Sequence, residues 1–221
     1  MGPYKALGLN SFQSIFYLTF WSTVSHDVWE LVANSITTGH IHEGLARTLI
    51  VLILKNDNPT SLKEFRPISL CNVLLKVVSK VIVNRVRPHS DNIIGSLQSS
   101  FIPGMGTYDR VNWRFLELTW NDFGFPPSII KVIMSLTTST SLSLKWNNEV
   151  LESFKSNRGL RQGDPLSLYL FLLCMEKLAL MIHEKVTQKA WQPIKLTKDW
   201  LEISHLVFED DCLLCTTAKS S

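Results

Sequence analysis

Apolar positions along this chain repeat with two different periods, and the change of period marks out its elements. Val73/Leu74, Val77/Val78 and Val81/Ile82 form pairs four residues apart, the spacing of one helix face. Lys76, Lys80, Arg85 and Arg87 fall off that stripe, and the pattern predicts a helix over 71–87 that Pro88 ends. Val28, Leu31, Val32 and Ile36 have the same spacing, with Ser25 placed to cap their helix and Gly39 to stop it after Thr38. Phe12, Phe16 and Phe20 share a helix face and are expected in the core. Further helices are predicted over 110–123, closed by Gly124, and from Pro126-Pro127 through Ser139. Another runs from Leu166 to Lys189, with Asp164 as its N-cap and Pro165 at the first helical position.

The shorter period marks strands. Leu49 to Leu54 is an apolar run of strand length, closed by the turn Asn56-Asp57-Asn58-Pro59. Leu142, Leu144 and Trp146 alternate, Asn147-Asn148 makes a turn, and Val150 to Phe154 returns as the second arm of a hairpin. Trp191 to Ser204 reads as a short connection with at most one strand. The run Leu206-Val207-Phe208, the acids Glu209-Asp210-Asp211 and the run Cys212 to Cys215 read as two strands around a tight acidic turn.

Composition adds limits. Hydrophobic residues are 45% of the 221 and charged residues 19%, so a packed core is expected, in one large domain or two small ones. The net charge of +3 neither demands nor excludes nucleic acid, so any such binding needs a local basic surface. Cysteines 71, 174, 212 and 215 without a secretory leader fit a reduced, intracellular setting. Cys212 and Cys215 lack the further ligands of a zinc set and are read as small buried hydrophobes. The longest apolar runs, Leu49–Leu54 and Leu168–Met175, are shorter than a membrane span, so no membrane partner is expected.

Three stretches carry candidate chemistry. Three adjacent carboxylates at 209–211 repel one another unless a cation sits among them, and Mg²⁺ takes carboxylate oxygens together with substrate phosphates. The same tip also reads as a solvated turn. Arg158-Gly159-Leu160-Arg161-Gln162-Gly163-Asp164-Pro165 joins two guanidinium forks and two glycines to a helix start, a loop suited to phosphates. It reads equally as an ordinary loop into a core helix. Arg66, fixed beside Pro67, is either a phosphate contact or a surface arginine at a turn.

Together the stretches form a set. Phe65-Arg66-Pro67-Ile68-Ser69, then Gln98 to Gly104, then Arg158 to Pro165, then Phe208 to Asp211 occur in the order found in reverse transcriptases. The chain resembles the polymerases of plant non-LTR (LINE-type) retrotransposons over nearly its whole length, beginning at Gly2-Pro3-Tyr4-Lys5-Ala6. The resemblance implies an α+β fold: a partial right-hand polymerase of fingers and palm, with a small antiparallel sheet and packed helices. Residues 1–107 would be the N-terminal, fingers-like region and 108–221 an incomplete palm-like region. It implies nucleotide or template contacts at Lys55, Arg66, Tyr108, Arg161, Gln162 and Gly163, and catalytic metal ligands at Asp210 and Asp211. The cofactor it implies is Mg²⁺, the partners are an RNA template and a DNA primer, and the setting is nucleus or cytoplasm, with no targeting signal seen in the sequence.

One departure changes the expectation. In that family a helical insert and a strand bearing an aspartate separate the Gly-Thr from the Tyr-Asp-Arg-Val-Asn-Trp. Here Gly106-Thr107 joins Tyr108-Asp109-Arg110-Val111-Asn112-Trp113 directly. The resemblance then implies a palm without one central strand and without the aspartate that faces the acidic turn. Asp109 matches an aspartate beyond that strand, and Glu209 adjoins the existing pair, so neither restores the opposite wall. The chain also stops soon after the hairpin, so the thumb is expected to be missing. The expected function is that of a reverse transcriptase (RNA-directed DNA polymerase) domain defective in catalysis, with Asp210 and Asp211 vestigial. The alternative is a non-catalytic RNA- or DNA-binding module using Arg66, Arg161 and the basic face of the 71–87 helix.

Overall fold

The computed structural model describes residues 8, 12–93, 108–195, 202–208 and 211–217. Helices α1 (Ser14–Thr19), α2 (Trp21–Thr38) and α3 (Glu43–Ala46) lead into strands β1 (Arg47–Leu54) and β2 (Phe65–Cys71). Then come α4 (Val73–Ile93), α5 (Trp113–Asp122) and α6 (Pro127–Thr138), the strands β3 (Ser141–Trp146), β4 (Glu149–Val150) and β5 (Phe154–Lys155), and α7 (Pro165–Thr187). The short strands β6 (Ile194–Lys195), β7 (Glu202–Ile203), β8 (His205–Phe208) and β9 (Asp211–Leu214) follow. The fold class is α+β.

One sheet has the order β2-β1-β3-β4, with β5 also paired to β3. β1 runs antiparallel to β2 but parallel to β3. The sheet is therefore mixed, where an antiparallel one was expected. A parallel neighbour needs a long crossover, here supplied by α4, α5 and α6. The parallel register pairs Arg47 with Ser141 and Val51 with Lys145, so strands from both sides of residue 107 share this sheet. β2 tolerates a proline because it is an edge strand. Ser69 sends its N–H outward to the Gln162 carbonyl, and Pro67, two residues away, faces the same way, so its missing N–H costs no ladder bond.

The core lies among α4, α5, α6 and α7. Leu75, Val78 and Ile82 of α4 are fully buried, as are Leu116 and Trp120 of α5 and Leu173 of α7. Of the apolar stripe read from the sequence, Val73, Val78 and Ile82 are buried while Leu74, Val77 and Val81 are half-buried, because the buried face is turned toward Leu75, Ser79, Val83 and Val86. That helix continues through Pro88 to Ile93 instead of stopping before it. Proline removes its own N–H and frees the Asn84 carbonyl, and both residues lie on the exposed face, where solvent can take the lost bond. α7 has the length and hydropathy of a membrane span, yet Leu166, Leu170, Phe171 and Leu173 are buried against the rest of this chain.

Other elements differ in detail. α2 begins at Trp21, ahead of Ser25, and ends as expected at Gly39, whose φ of 65° forms a left-handed cap. Phe12 and Phe20 are 61% and 50% exposed, so they are not core residues. They flank Phe16 with ring centroids at 4.3 and 5.1 Å, one beyond each end of six-residue α1, so the three rings do not form one buried helix face. Asn147 and Asn148 both have positive φ, as the tight two-residue turn between β3 and β4 requires. Cys215 is only partly buried, and the Cys212 side chain lies outside the described residues.

Candidate functional site

The loop from Ser156 to Asp164 is stitched to its neighbours by hydrogen bonds on three sides. Toward the Tyr108–Trp113 segment, Gly159 donates its N–H to the Val111 carbonyl (2.8 Å) and Leu160 to that of Tyr108 (2.8 Å). Trp113 Nε1 donates back to the Gly159 carbonyl at 2.8 Å. Gly159 has a φ of +91°, and a Cβ there would come within 3.0 Å of the Asp109 carbonyl oxygen. Only glycine allows that approach. Toward the sheet, Ser69 donates to the Gln162 carbonyl at 3.1 Å. Gly163, with a φ of +100°, brings its backbone so close that a Cβ would lie 3.2 Å from the Ser69 carbonyl oxygen.

The third anchor is ionic. Arg161 donates Nη1 to Thr140 Oγ1 (2.6 Å) and Nη2 to Asp164 Oδ2 (2.5 Å). The Arg161 and Asp164 side chains are only 10% and 2% exposed. Burial opposes the Arg161 charge, but the Asp164 carboxylate and Cys71 hold the guanidinium above its ordinary pKa. Asp164 also caps α7, its Oδ1 accepting the Leu166 N–H at 3.0 Å. One carboxylate thus closes the loop and starts the helix.

A cleft of about 200 Å³ opens between this loop, the sheet and the Tyr108–Trp113 segment. Ile50, Pro67, Ser69 and Leu142 form its floor, with Asp109 and Arg158 among its polar walls. Arg161 and Gln162 line it, although the Arg161 donors just described point at Thr140 and Asp164. Tyr108 is 6% exposed, and its ring stacks on Phe171 at 4.8 Å, in the core behind the cleft. Burial pushes its hydroxyl up to about 12. Arg66 is exposed, and strand alternation puts it on the sheet face opposite Pro67 and Ser69. Lys55 sits at the far end of the β1–β2 connection, where its Nζ donates to the Lys63 carbonyl at 2.9 Å. The structure therefore gathers Arg161, Gln162 and Gly163 and leaves Lys55, Arg66 and Tyr108 outside the cleft. Ser69 and Trp113 lie within recognisable motifs, but only their hydrogen bonds to the Gln162 and Gly159 carbonyls bring them to the loop.

Asp210 lies outside the described residues, and Asp211 opens β9 opposite Phe208, its side chain also outside them. Among the described residues β8 and β9 pair only with each other. The base of this hairpin is tied to the end of α7, Trp191 Nε1 donating to the Cys215 carbonyl at 2.8 Å and Thr217 N to that of Gln192 at 3.0 Å. Among the described residues no three His, Cys, Asp or Glu side chains converge. Among the described residues Asp109 is the one acid lining the cleft. Partial desolvation raises its pKa, with Arg110 pulling the other way, and because the residue as a whole is exposed, solvent screens the effect and keeps it small. Mg²⁺ takes several ionised or carbonyl oxygens in a tight shell, so the described residues do not fit it.

The Asp109 shift has a sign that can be measured. A carboxyl raised in the fold destabilises the folded state once ionised. That penalty is absent below the ordinary carboxylate range and grows as pH rises through the raised value. Asp109→Asn is expected to raise the melting temperature at neutral pH and to change nothing in acid. Melts across that range check it, and equal shifts at both ends would remove the assignment.

Residues 105–221 match the family model described as reverse transcriptase (RNA-dependent DNA polymerase). The transposon TX1 uncharacterized 149 kDa protein of Xenopus laevis is 23% identical over 214 residues, which cover 83% of this chain and 16% of that protein. An uncharacterized mitochondrial protein of Arabidopsis thaliana is 46% identical over 55 residues, covering 25% of this chain and 45% of the relative. The chain thus spans less than half the length of either relative. Among solved structures, apo telomerase from Candida tropicalis, truncated from its C-terminal domain, aligns with a TM-score of 0.47 at 16% identity, over 88% of this chain and 49% of that one. The matched family segment takes in the cleft wall from Tyr108 to Trp113, the Arg158–Pro165 loop and the acidic hairpin, more than half of the whole, and the chain accordingly belongs to the reverse transcriptase (RNA-dependent DNA polymerase) family.

Proposed function

We propose that this chain is the reverse transcriptase domain of a LINE-type retroelement remnant, and that it extends no primer on its own. The observation carrying this reading is the direct join of Gly106-Thr107 to Tyr108-Asp109, and among the described residues no strand bearing an aspartate pairs with the acidic hairpin. The hairpin strands, paired only with each other among the described residues, agree with it. Two metal ions holding an attacking and a leaving oxygen need carboxylates from more than one side. A single turn leaves their charge exposed to water on the other.

The test is primer extension on an RNA template with deoxynucleotides and Mg²⁺ or Mn²⁺, with the intact chain and Asp210→Ala. No extension by either is expected. Extension by the intact chain that the substitution abolishes would refute the proposal.

A second reading, binding of RNA template and DNA primer without chemistry, draws support from exposed cations. Lys80, Arg85 and Arg87 on α4 and Arg66 on β2 stand in no ion pair among the described residues. Such cations bind phosphates with a strong salt dependence. In the same samples, retention of primed template that falls steeply with added salt supports this reading, and retention that ignores salt removes it.

A further inference from the structure

The sheet has a second concavity, on the face away from the cleft. Its volume is about 480 Å³, and Glu43, Arg47, Ser141, Ser143, Ser153 and Lys155 lie around it. Strand register accounts for the grouping. Arg47 of β1 pairs with Ser141 of β3, and Ser141 pairs with Lys155 of β5. The three residues form one row across the sheet, so their side chains leave the same face. The two cations stand two strand spacings apart, about 10 Å between Cα atoms, with a hydroxyl between them. Both are exposed, and neither joins an ion pair among the described residues.

Ser143, one step along the same face of β3, supplies a second and independent observation. It is 7% exposed and lines the concavity. No side-chain hydrogen bond occupies its hydroxyl among the described residues. The oxygen is not sealed off without a partner as the Ser79 hydroxyl is, so what exposure Ser143 keeps leaves its hydroxyl free to donate. It lines the same concavity as the two cations.

We propose that this concavity binds a phosphate group, separately from the cleft. A guanidinium fork, an ammonium and several hydroxyl donors match a group with several acceptor oxygens. Among the described residues no aromatic side chain lines the space to stack on a base, so recognition there is of phosphate and indifferent to sequence. Glu43 sets the balance: two cations and one carboxylate leave one net positive charge, so Glu43 weakens the site and its removal strengthens it. The proposal is independent of primer extension. Only the opposite face of the sheet lines the cleft.

The experiment titrates the intact chain with two probes at low salt: inorganic tripolyphosphate by calorimetry and a labelled single-stranded oligothymidylate by anisotropy. Arg47→Gln with Lys155→Gln is expected to weaken the bound probe by at least about tenfold. Glu43→Gln is expected to tighten it severalfold, and Lys189→Gln, an exposed cation elsewhere, to leave it unchanged. Loss of both probes supports a phosphate site open to either source. Loss of the oligonucleotide alone assigns it to a nucleic-acid backbone, and loss of tripolyphosphate alone to a free phosphate ligand. If neither probe responds to the double variant, or Lys189→Gln costs as much, the proposal is overturned. Should the double variant melt early, Ser143→Ala with Glu43→Gln in the otherwise unchanged chain tests the same site, the first weakening and the second tightening binding.

Discussion

Asp164→Ala is expected to destabilise the chain by about 3–5 kcal/mol, a large part of the stability of an ordinary domain. The size follows from what is left behind. Arg161 is held in the interior by Asp164 and Thr140, and losing the carboxylate strands a guanidinium beside one neutral hydroxyl. The same substitution removes the N-cap of α7, a further loss of about 1 kcal/mol. Arg161→Met combined with Asp164→Ala is expected to cost less than Asp164→Ala alone, because no charge then stays buried unpaired. Urea denaturation of the three forms measures both statements. A single-variant loss under about 1 kcal/mol would mean that the pair is solvated and contributes as a surface bridge does. The outcome also bears on the family loop. Arg161 lines the cleft, but its described contacts make it a brace that positions Gln162 and Gly163.

Phe171→Ala is the second large effect, with an expected loss of about 3–5 kcal/mol. Phe171 is 1% exposed and carries the Tyr108 ring at 4.8 Å. Deleting it opens a cavity directly behind the cleft wall, under the Tyr108 ring. Phe12→Ala and Phe20→Ala serve as controls: both rings are at least half exposed, and losses within about 0.5 kcal/mol are expected. Thermal melts of the three variants rank the sites. Equal losses at Phe12 and Phe171 would mean that the aromatic α1 face belongs to the core after all.

The local signals in the chain carried far. The stripe on α4, the Asp164-Pro165 start of α7, the Gly39 stop of α2 and the Asn147-Asn148 turn each depend on residues within a few positions of one another. The paired strands around the acidic turn belong with them. Local reading failed where the outcome rests on what an element packs against. Pro88 stays inside α4 because its freed carbonyl faces outward, and Phe12 and Phe20 stay exposed because they lie beyond the two ends of α1 and do not share one buried helix face.

The site divides along the same line. The loop glycines and arginines were visible in the sequence, but the role of Arg161 as a brace depends on Thr140, which reaches it from the start of β3. The Arg47–Ser141–Lys155 row had no sequence signal, since its members come from three strands.

By itself, then, the sequence determined the family, most helices and turns, and the direct join at Thr107-Tyr108, because these are written in contiguous residues. Tertiary structure alone decided the parallel pairing of β1 with β3, the burial of Arg161 and Tyr108, and which cations share a face. Each of those is a relation between residues far apart in the chain, settled by which burial and pairing the whole molecule could satisfy at once.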